Sequence, residues 1–320
     1  MPGAIGGYFE LELPNLGKFV HDDGTLLNSG RNALEYVFRA LGDVKRLFIP
    51  YYVCDVVMEP IEMLGVPYIF YHINDNLEIE NTPTLQRDEY LLYVNYFGIK
   101  DKYVQKLASY YGCQLIVDNV QAWFAKPVQN ASTIYSPRKY VGVPDGGVAY
   151  CSEGIDEKTF EQDFSFDRFS HLLKRIDIGL SEGYDDFKAN GRQLVGQPIK
   201  RMSELTRRML SSIDFEEVKN RRRKNFELLH NHLRSSNLFK VPSMDTFACP
   251  MVYPYLTNDS TMRQRLISNN VFVATYWPNV MQWVKEGVLE SRLAEKLLPL
   301  PIDQRYGERE MNVICDIVSR

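Results

Sequence analysis

Short apolar runs and stretches of helical period alternate along residues 28–151. Runs at Arg46–Ile49, Tyr68–Tyr71, Tyr90–Asn95, Gln114–Asp118, Thr133–Tyr135 and Gly147–Cys151 have the length of buried strands. Between them, Arg31–Leu41, Val53–Leu64 and Tyr103–Tyr110 carry apolar residues at helical spacing. Strands separated by helices predict βαβ units and a mostly parallel central sheet with helices on both faces, an α/β fold. Ligands in such sheets bind beyond the carboxyl ends of the strands. That rule gathers Asn95, Asp118 and the loop to Lys139 at one edge.

After Cys151 the pattern changes. Residues 155–200 are polar and irregular and read as a flap or interface segment. A long helical pattern runs from Met202 to Leu233 through Leu205, Met209, Ile213 and Val218. Beyond it, strand-like runs at Phe247–Tyr255 and Val271–Tyr276 precede closing helices. The expected organisation is a large domain over residues 1–235 and a smaller α/β lobe over 236–320.

Composition narrows the function classes. With 320 residues, 45% hydrophobic and 24% charged, the chain is that of a globular protein with a sizeable core. A net charge of −4 gives no reason to expect nucleic acid or an anionic membrane as partner. No apolar run approaches the roughly 18–20 residues of a membrane span. Residues 1–7 lack a basic region followed by an apolar core, so a cytoplasmic protein without a secretory leader is expected. The five cysteines show no C-x-x-C spacing and read as free thiols. The five histidines do not cluster, and no metal site is expected.

The candidate chemistry centres on Ser136-Pro137-Arg138-Lys139, followed by Gly142 and the turn Pro144-Asp145-Gly146-Gly147. Upstream, Asp118-Asn119-Val120-Gln121 closes the apolar run Leu115-Ile116-Val117. A strand ending in a carboxylate, then a later strand leading into Ser-x-x-Lys, is the layout of a pyridoxal phosphate site. The lysine amine attaches the cofactor and the carboxylate keeps its ring nitrogen protonated. Asp118 is either that carboxylate or a helix cap. Gln121 lies on the same helical side and is placed to support the ring or its phenolic oxygen. Ser29-Gly30 is either a plain N-cap or a helix start that binds phosphate, with Arg31 and Asn32 beside it. Tyr51-Tyr52, after Pro50, is core packing or a wall for a planar ring. The basic run Arg221-Arg222-Arg223-Lys224 sits inside a helical pattern and reads as a solvated face rather than a nucleic-acid site.

Taken in order, these segments resemble the DegT/DnrJ/EryC1/StrS family of pyridoxal phosphate-dependent sugar aminotransferases, of aspartate aminotransferase fold type I. Ser29-Gly30-Arg31-Asn32-Ala33-Leu34 is similar to the family's S-G-T-x-A-L, and Ile49-Pro50-Tyr51-Tyr52-Val53 to its I-P-S-F-T. Val94-Asn95-Tyr96-Phe97-Gly98 resembles V-H-L-Y-G, and Val117-Asp118-Asn119-Val120-Gln121-Ala122-Trp123-Phe124 resembles E-D-x-x-Q-A-x-G. Lys139 with Asp145-Gly146-Gly147 matches the lysine motif and its E-G-G without a gap. Arg201-Met202-Ser203-Glu204-Leu205 and Leu300-Pro301 resemble the later R-M-S-E-L and L-P.

The resemblance implies transfer of an amino group, from glutamate, to a keto group of a nucleotide-linked sugar in surface polysaccharide or related biosynthesis. It implies Lys139 as the cofactor-bearing, proton-shuttling lysine and Asp118 as the partner of the ring nitrogen. Gln121 would sit by the ring, and Gly30, Arg31, Asn32 and Ser136 would cradle the phosphate. It also implies a homodimer whose second subunit completes the site, with Arg201 reaching across. The chain departs from the pattern at Arg31 for threonine, Asn95 for histidine and Ile134 for serine. Where a ring-stacking aromatic is expected stands Cys54, so Tyr52 or Tyr51 would take that place. Other readings are a different pyridoxal phosphate reaction, or a non-catalytic binding or regulatory protein. A Rossmann nucleotide binder would need G-x-G-x-x-G after the first strand, which is missing.

Overall fold

The computed structural model describes residues 5–320, so the leader reading at the N-terminus falls in part outside the described residues. A sheet of seven strands forms the centre. In chain order these are β1 (Thr25–Leu27), β2 (Arg46–Pro50), β3 (Tyr68–Tyr71), β4 (Glu89–Val94), β5 (Leu115–Asp118), β6 (Ser132–Tyr135) and β7 (Gly147–Tyr150). Their spatial order is β1-β7-β6-β5-β4-β2-β3. Strands β3, β2, β4, β5 and β6 run parallel, while β7 is antiparallel to both β6 and β1. The expected α/β architecture is therefore present, with antiparallel strands confined to one edge.

Helices α1 (Gly30–Leu41), α2 (Met58–Met63) and α3 (Asp101–Tyr111) connect the parallel strands. Helix α1 buries Ala33, Leu34, Val37 and Phe38 and starts under Ser29, whose hydroxyl accepts the Asn32 N–H. That cap satisfies one of the donors a helix start leaves free. The helix expected from Val53 begins later, because Cys54 is extended and a 3-10 turn over Asp55–Val57 precedes α2. Val53 and Cys54 thereby stay in the loop at the carboxyl end of β2. Every residue of β5 is buried, which fixes Asp118 at the end of a central strand.

Beyond β7, residues 155–200 are more regular than expected: α4 (Ser170–Asp177) and α5 (Leu180–Gln193) pack as a helical hairpin. The pattern from Met202 to Leu233 splits into α6 (Glu204–Ser211) and α7 (Phe215–Leu233). Asp214 makes the break, its carboxylate accepting the Glu217 N–H at 3.0 Å to cap α7. The C-terminal part holds a two-stranded antiparallel sheet of β8 (Val252–Leu256) and β9 (Leu297–Pro301). The strand expected at Val271–Tyr276 is a loop, since β8 takes β9 as its partner instead. Pro299 and Pro301 hide β9 in the sequence, because proline weakens any strand reading.

Two adjacent glycines bring α1 against the lysine loop. Gly146 has φ +116°, which L side chains rarely adopt, and its N–H donates to the Asn28 carbonyl at 2.9 Å. At Gly147 an added Cβ would collide with the Ser29 carbonyl group. Gly147→Ala should therefore destabilise the protein by roughly 3 kcal/mol or more, through overpacking between backbones that cannot yield. Thermal unfolding of the variant checks this; an unchanged midpoint would refute it.

Candidate active site

Four segments meet beyond the carboxyl ends of the parallel strands and enclose a cavity of about 180 Å³. The start of α1 brings Ser29, Gly30 and Arg31. The loop after β2 brings Val53 and Cys54, the end of β5 brings Asp118, Val120 and Gln121, and the loop after β6 brings Ser136, Arg138 and Lys139. Of the residues expected from sequence to bind cofactor, Gly30, Arg31, Asp118, Gln121, Ser136 and Lys139 thus come together at one cavity.

Lys139 ends a 3-10 turn, Pro137–Lys139. Its Nζ has no hydrogen bond or ion pair among the described residues, and the side chain opens onto the cavity. The side chain is exposed to the open cavity, and desolvation by the surrounding protein lowers its pKa below that of a free lysine, with Arg138 and Arg31 adding to the effect and Cys54 and Asp118 opposing it. An amine held this way is more readily neutral and nucleophilic. Asp118 is buried, and desolvation raises its pKa to about 6. One carboxylate oxygen accepts the Val120 N–H at 2.9 Å. Gln121 accepts the Phe97 N–H at 2.8 Å through its side-chain oxygen, which leaves its amide N–H groups free to donate.

The third group is basic and hydroxyl-bearing. Ser136 donates to the Gly146 carbonyl at 3.1 Å. An added Cβ on Gly30 would lie 3.5 Å from both Ser136 Cβ and Val120 Cγ2, so the start of α1 and the lysine loop are in contact. Arg31 lies 2.9 Å from Glu59, while Arg138 has no ion-pair partner among the described residues. Burial lowers the Arg138 pKa to about 10, with Asp145 opposing the shift and Arg31 and Arg168 deepening it. With Arg31 paired to Glu59, Arg138 and Lys139 are the basic groups of the cavity without an ion-pair partner among the described residues, and a phosphate would answer that charge. The donor set fits pyridoxal phosphate: an unbonded amine, a buried carboxylate, and a basic cradle at a helix start.

Four expected residues lie elsewhere. Asn32 turns away from the cavity, with its amide donating to Glu35 at 3.2 Å and to the Gln197 carbonyl at 2.8 Å. Tyr52 is fully buried in a cluster with Tyr96 and Trp277 and does not line the cavity. Tyr51 stacks on Phe70 at 4.6 Å. Arg201 is tied through its backbone to Glu161 and Asp163 on the far side of β1, away from the cavity walls. Conversely, Arg138 and Trp277 line the cavity although neither stood among the cofactor-binding residues expected from the motifs. No motif in the sequence pointed to the tryptophan.

The basic run on α7 also differs from expectation. Arg222 is buried, donating to the Met251 carbonyl at 2.9 Å, the Tyr140 carbonyl at 3.0 Å and the Gln304 side chain at 3.0 Å. Its guanidinium lies over the Tyr140 ring at 4.6 Å. The residue after Lys139 is thus gripped from α7. Behind the loop, Asp145 binds Arg168 at 3.0 Å and accepts from Ser203 and Thr206, so the Arg201–Leu205 segment anchors the glycine turn.

No protein-family model and no curated protein matches the sequence. Solved structures do. One is DesV of S. venezuelae, in complex with a ketimine intermediate, at 17% identity and TM-score 0.65 over 92% of this chain and 83% of that one. DesI, in the presence of its TDP-sugar product, shares 16% identity at TM-score 0.62, covering 92% and 79%. A DegT DnrJ EryC1 StrS aminotransferase from Brucella abortus shares 13% identity at TM-score 0.59, covering 92% and 84%. At these identities the likeness is one of architecture, and the chain has the fold of these aminotransferases.

Proposed function

We propose that this protein is a pyridoxal phosphate-dependent aminotransferase that moves an amino group from an amino acid, glutamate in the first instance, to a keto group of a nucleotide-linked sugar. The observation that carries the reading is Lys139: an unbonded amine of lowered pKa, in one cavity with the buried carboxylate of Asp118 and a basic cradle. The shared fold and the nucleotide sugar in the DesI structure support the substrate class.

Pyridoxal phosphate, when bound, supplies an electron sink for the carbon that loses its proton. Asp118 holds the proton on the ring nitrogen, its carboxylate ionised by that partner. Lys139 would take the donor's α-proton at Nζ and hold it there for return, a role its lowered pKa favours. Ser29, Gly30, Arg31, Ser136 and Arg138 hold the phosphate. Gln121 donates from its free amide toward the ring substituent, and Val120 excludes water from one side of the cavity.

The setting is proposed as cytoplasmic, within surface polysaccharide or related sugar biosynthesis. Among the described residues no helix is long and apolar enough to cross a membrane. A homodimer is also proposed, because Phe164, Phe166, Ile176 and Phe187, on and before the α4–α5 hairpin, expose large apolar surfaces. In that dimer Arg201 would serve the partner's site. The large domain is proposed to end near residue 235.

The test is single-turnover spectroscopy. Protein loaded with pyridoxal phosphate should lose its visible absorbance on adding glutamate and regain it on adding a keto-sugar nucleotide. Colour without conversion would make the protein a binding module. The phosphate cradle has its own check: Arg138→Gln should weaken pyridoxal phosphate roughly 10- to 100-fold, the worth of a charged hydrogen bond, and leave phosphate-free pyridoxal unaffected. Equal losses for both compounds would remove Arg138 from the cradle.

A further inference from the structure

We infer that Trp277, delivered by the C-terminal part of the chain, is the aromatic wall against which the cofactor ring packs. The inference rests on the pyridoxal phosphate reading above. A flat, charged ring system in a cavity is best held by an aromatic face. The loop after β2, where the sequence motifs place that aromatic, offers Cys54 to the cavity instead. The two neighbouring tyrosines are committed elsewhere, Tyr51 to Phe70 and Tyr52 to the buried cluster behind the wall. Among the described residues lining the cavity, Trp277 is the one aromatic side chain.

Its position is fixed by contacts on both sides. The indole meets the Tyr52 ring edge-on, with centroids 5.0 Å apart and an interplanar angle of 60°. The Asn279 amide donates to the Val53 carbonyl at 2.9 Å, tying the tryptophan loop to the residue before Cys54. Tyr276, one residue earlier, stacks on Phe97 with centroids 6.1 Å apart. Trp277 is only 9% exposed, anchored on the Tyr52 cluster while it also lines the cavity. Val120 also lines the cavity, from the turn after β5. A ring held between segments 157 residues apart in sequence, Val120 and Trp277, would couple cofactor occupancy to the docking of the C-terminal loop.

The experiment uses the full chain with pyridoxal phosphate as probe, reading affinity, visible absorbance and hydrogen exchange over residues 271–284. In the unaltered protein, binding should slow exchange in that segment. Trp277→Leu, which keeps apolar bulk without a flat ring, should weaken binding roughly tenfold and abolish the protection. Trp277→Phe should recover most of both. Unchanged affinity and unchanged protection in the leucine variant would overturn the inference while leaving the cofactor reading intact. If the leucine variant fails to fold, the unaltered protein decides, because cofactor binding without protection of this segment also overturns it. Absence of any Lys139-dependent absorbance in the unaltered protein would instead refute the cofactor reading, and the inference with it.

Discussion

Lys139→Ala should abolish the visible absorbance that pyridoxal phosphate gives the protein and lower turnover by at least about 10³-fold, at the upper end of what a positioned acid–base group contributes. Among the described residues lining the cavity Lys139 carries the one amine, the group suited both to bond the cofactor and to carry the α-proton, so both functions vanish together. The fold should survive, because Nζ makes no hydrogen bond or ion pair among the described residues. Its lowered pKa means that folding disfavours the ammonium, and removing it should leave the melting temperature of the cofactor-free protein unchanged or higher. Borohydride trapping followed by mass measurement locates the bond. A variant that is still trapped, or that turns over within tenfold of the unaltered protein, would displace Lys139 from its role.

Asp118→Asn should act with opposite signs on the empty and loaded protein. In the cofactor-free protein desolvation raises the carboxyl from 3.8 to about 6. Between those values the folded state keeps a proton that the unfolded chain has lost. The stability this provides is therefore present below pH 4 and is lost as pH rises through 6. A shift of two units corresponds to roughly 3 kcal/mol. Asparagine removes that loss, so the empty variant should melt higher at pH 7, by roughly 2–5 °C. The downward slope of stability from pH 4 to 7 should shrink without vanishing, since Asp145 is also raised to about 6 by burial. The loaded protein responds the other way: without a carboxylate on the ring nitrogen, affinity should fall at least roughly tenfold, the worth of one charged hydrogen bond. In the unaltered protein, affinity should strengthen as pH passes 6. Calorimetry of empty and loaded forms across pH decides; a variant less stable than the parent when empty at pH 7 would contradict the assignment.

The sheet was legible because each parallel strand centres on a short apolar or aromatic run of strand length. Asp118 and Lys139 were legible for the same reason, since residues just past such strands converge by topology. Strand β1 was not, because three residues paired antiparallel to β7 leave no local signature. The α7 arginines misled: four consecutive charges look solvated, yet Arg222 finds its partners at Tyr140, Met251 and Gln304, contacts that only tertiary structure creates. Tyr52 and Asn32 were drawn to the site by their place in motifs. Their side chains face the other way, because backbone direction at a strand end and at a helix cap is set by packing behind the cavity. Trp277 lies 138 residues past Lys139 in a loop without periodicity, and no sequence spacing links the two.

Arg222 has a reach that makes the lysine loop a reporter on distant parts of the chain. One guanidinium joins the carbonyl of Tyr140 to the segment entering β8 and to the loop after β9. Gln304 reinforces the join with its own bond to the same carbonyl at 2.9 Å. Damage far from the cavity, such as trimming the last helix or loosening the β8–β9 ribbon, should therefore reach the amine through these bonds. Loss of colour would precede loss of fold, and cofactor chemistry would serve as the quality check on whether the C-terminal third has assembled.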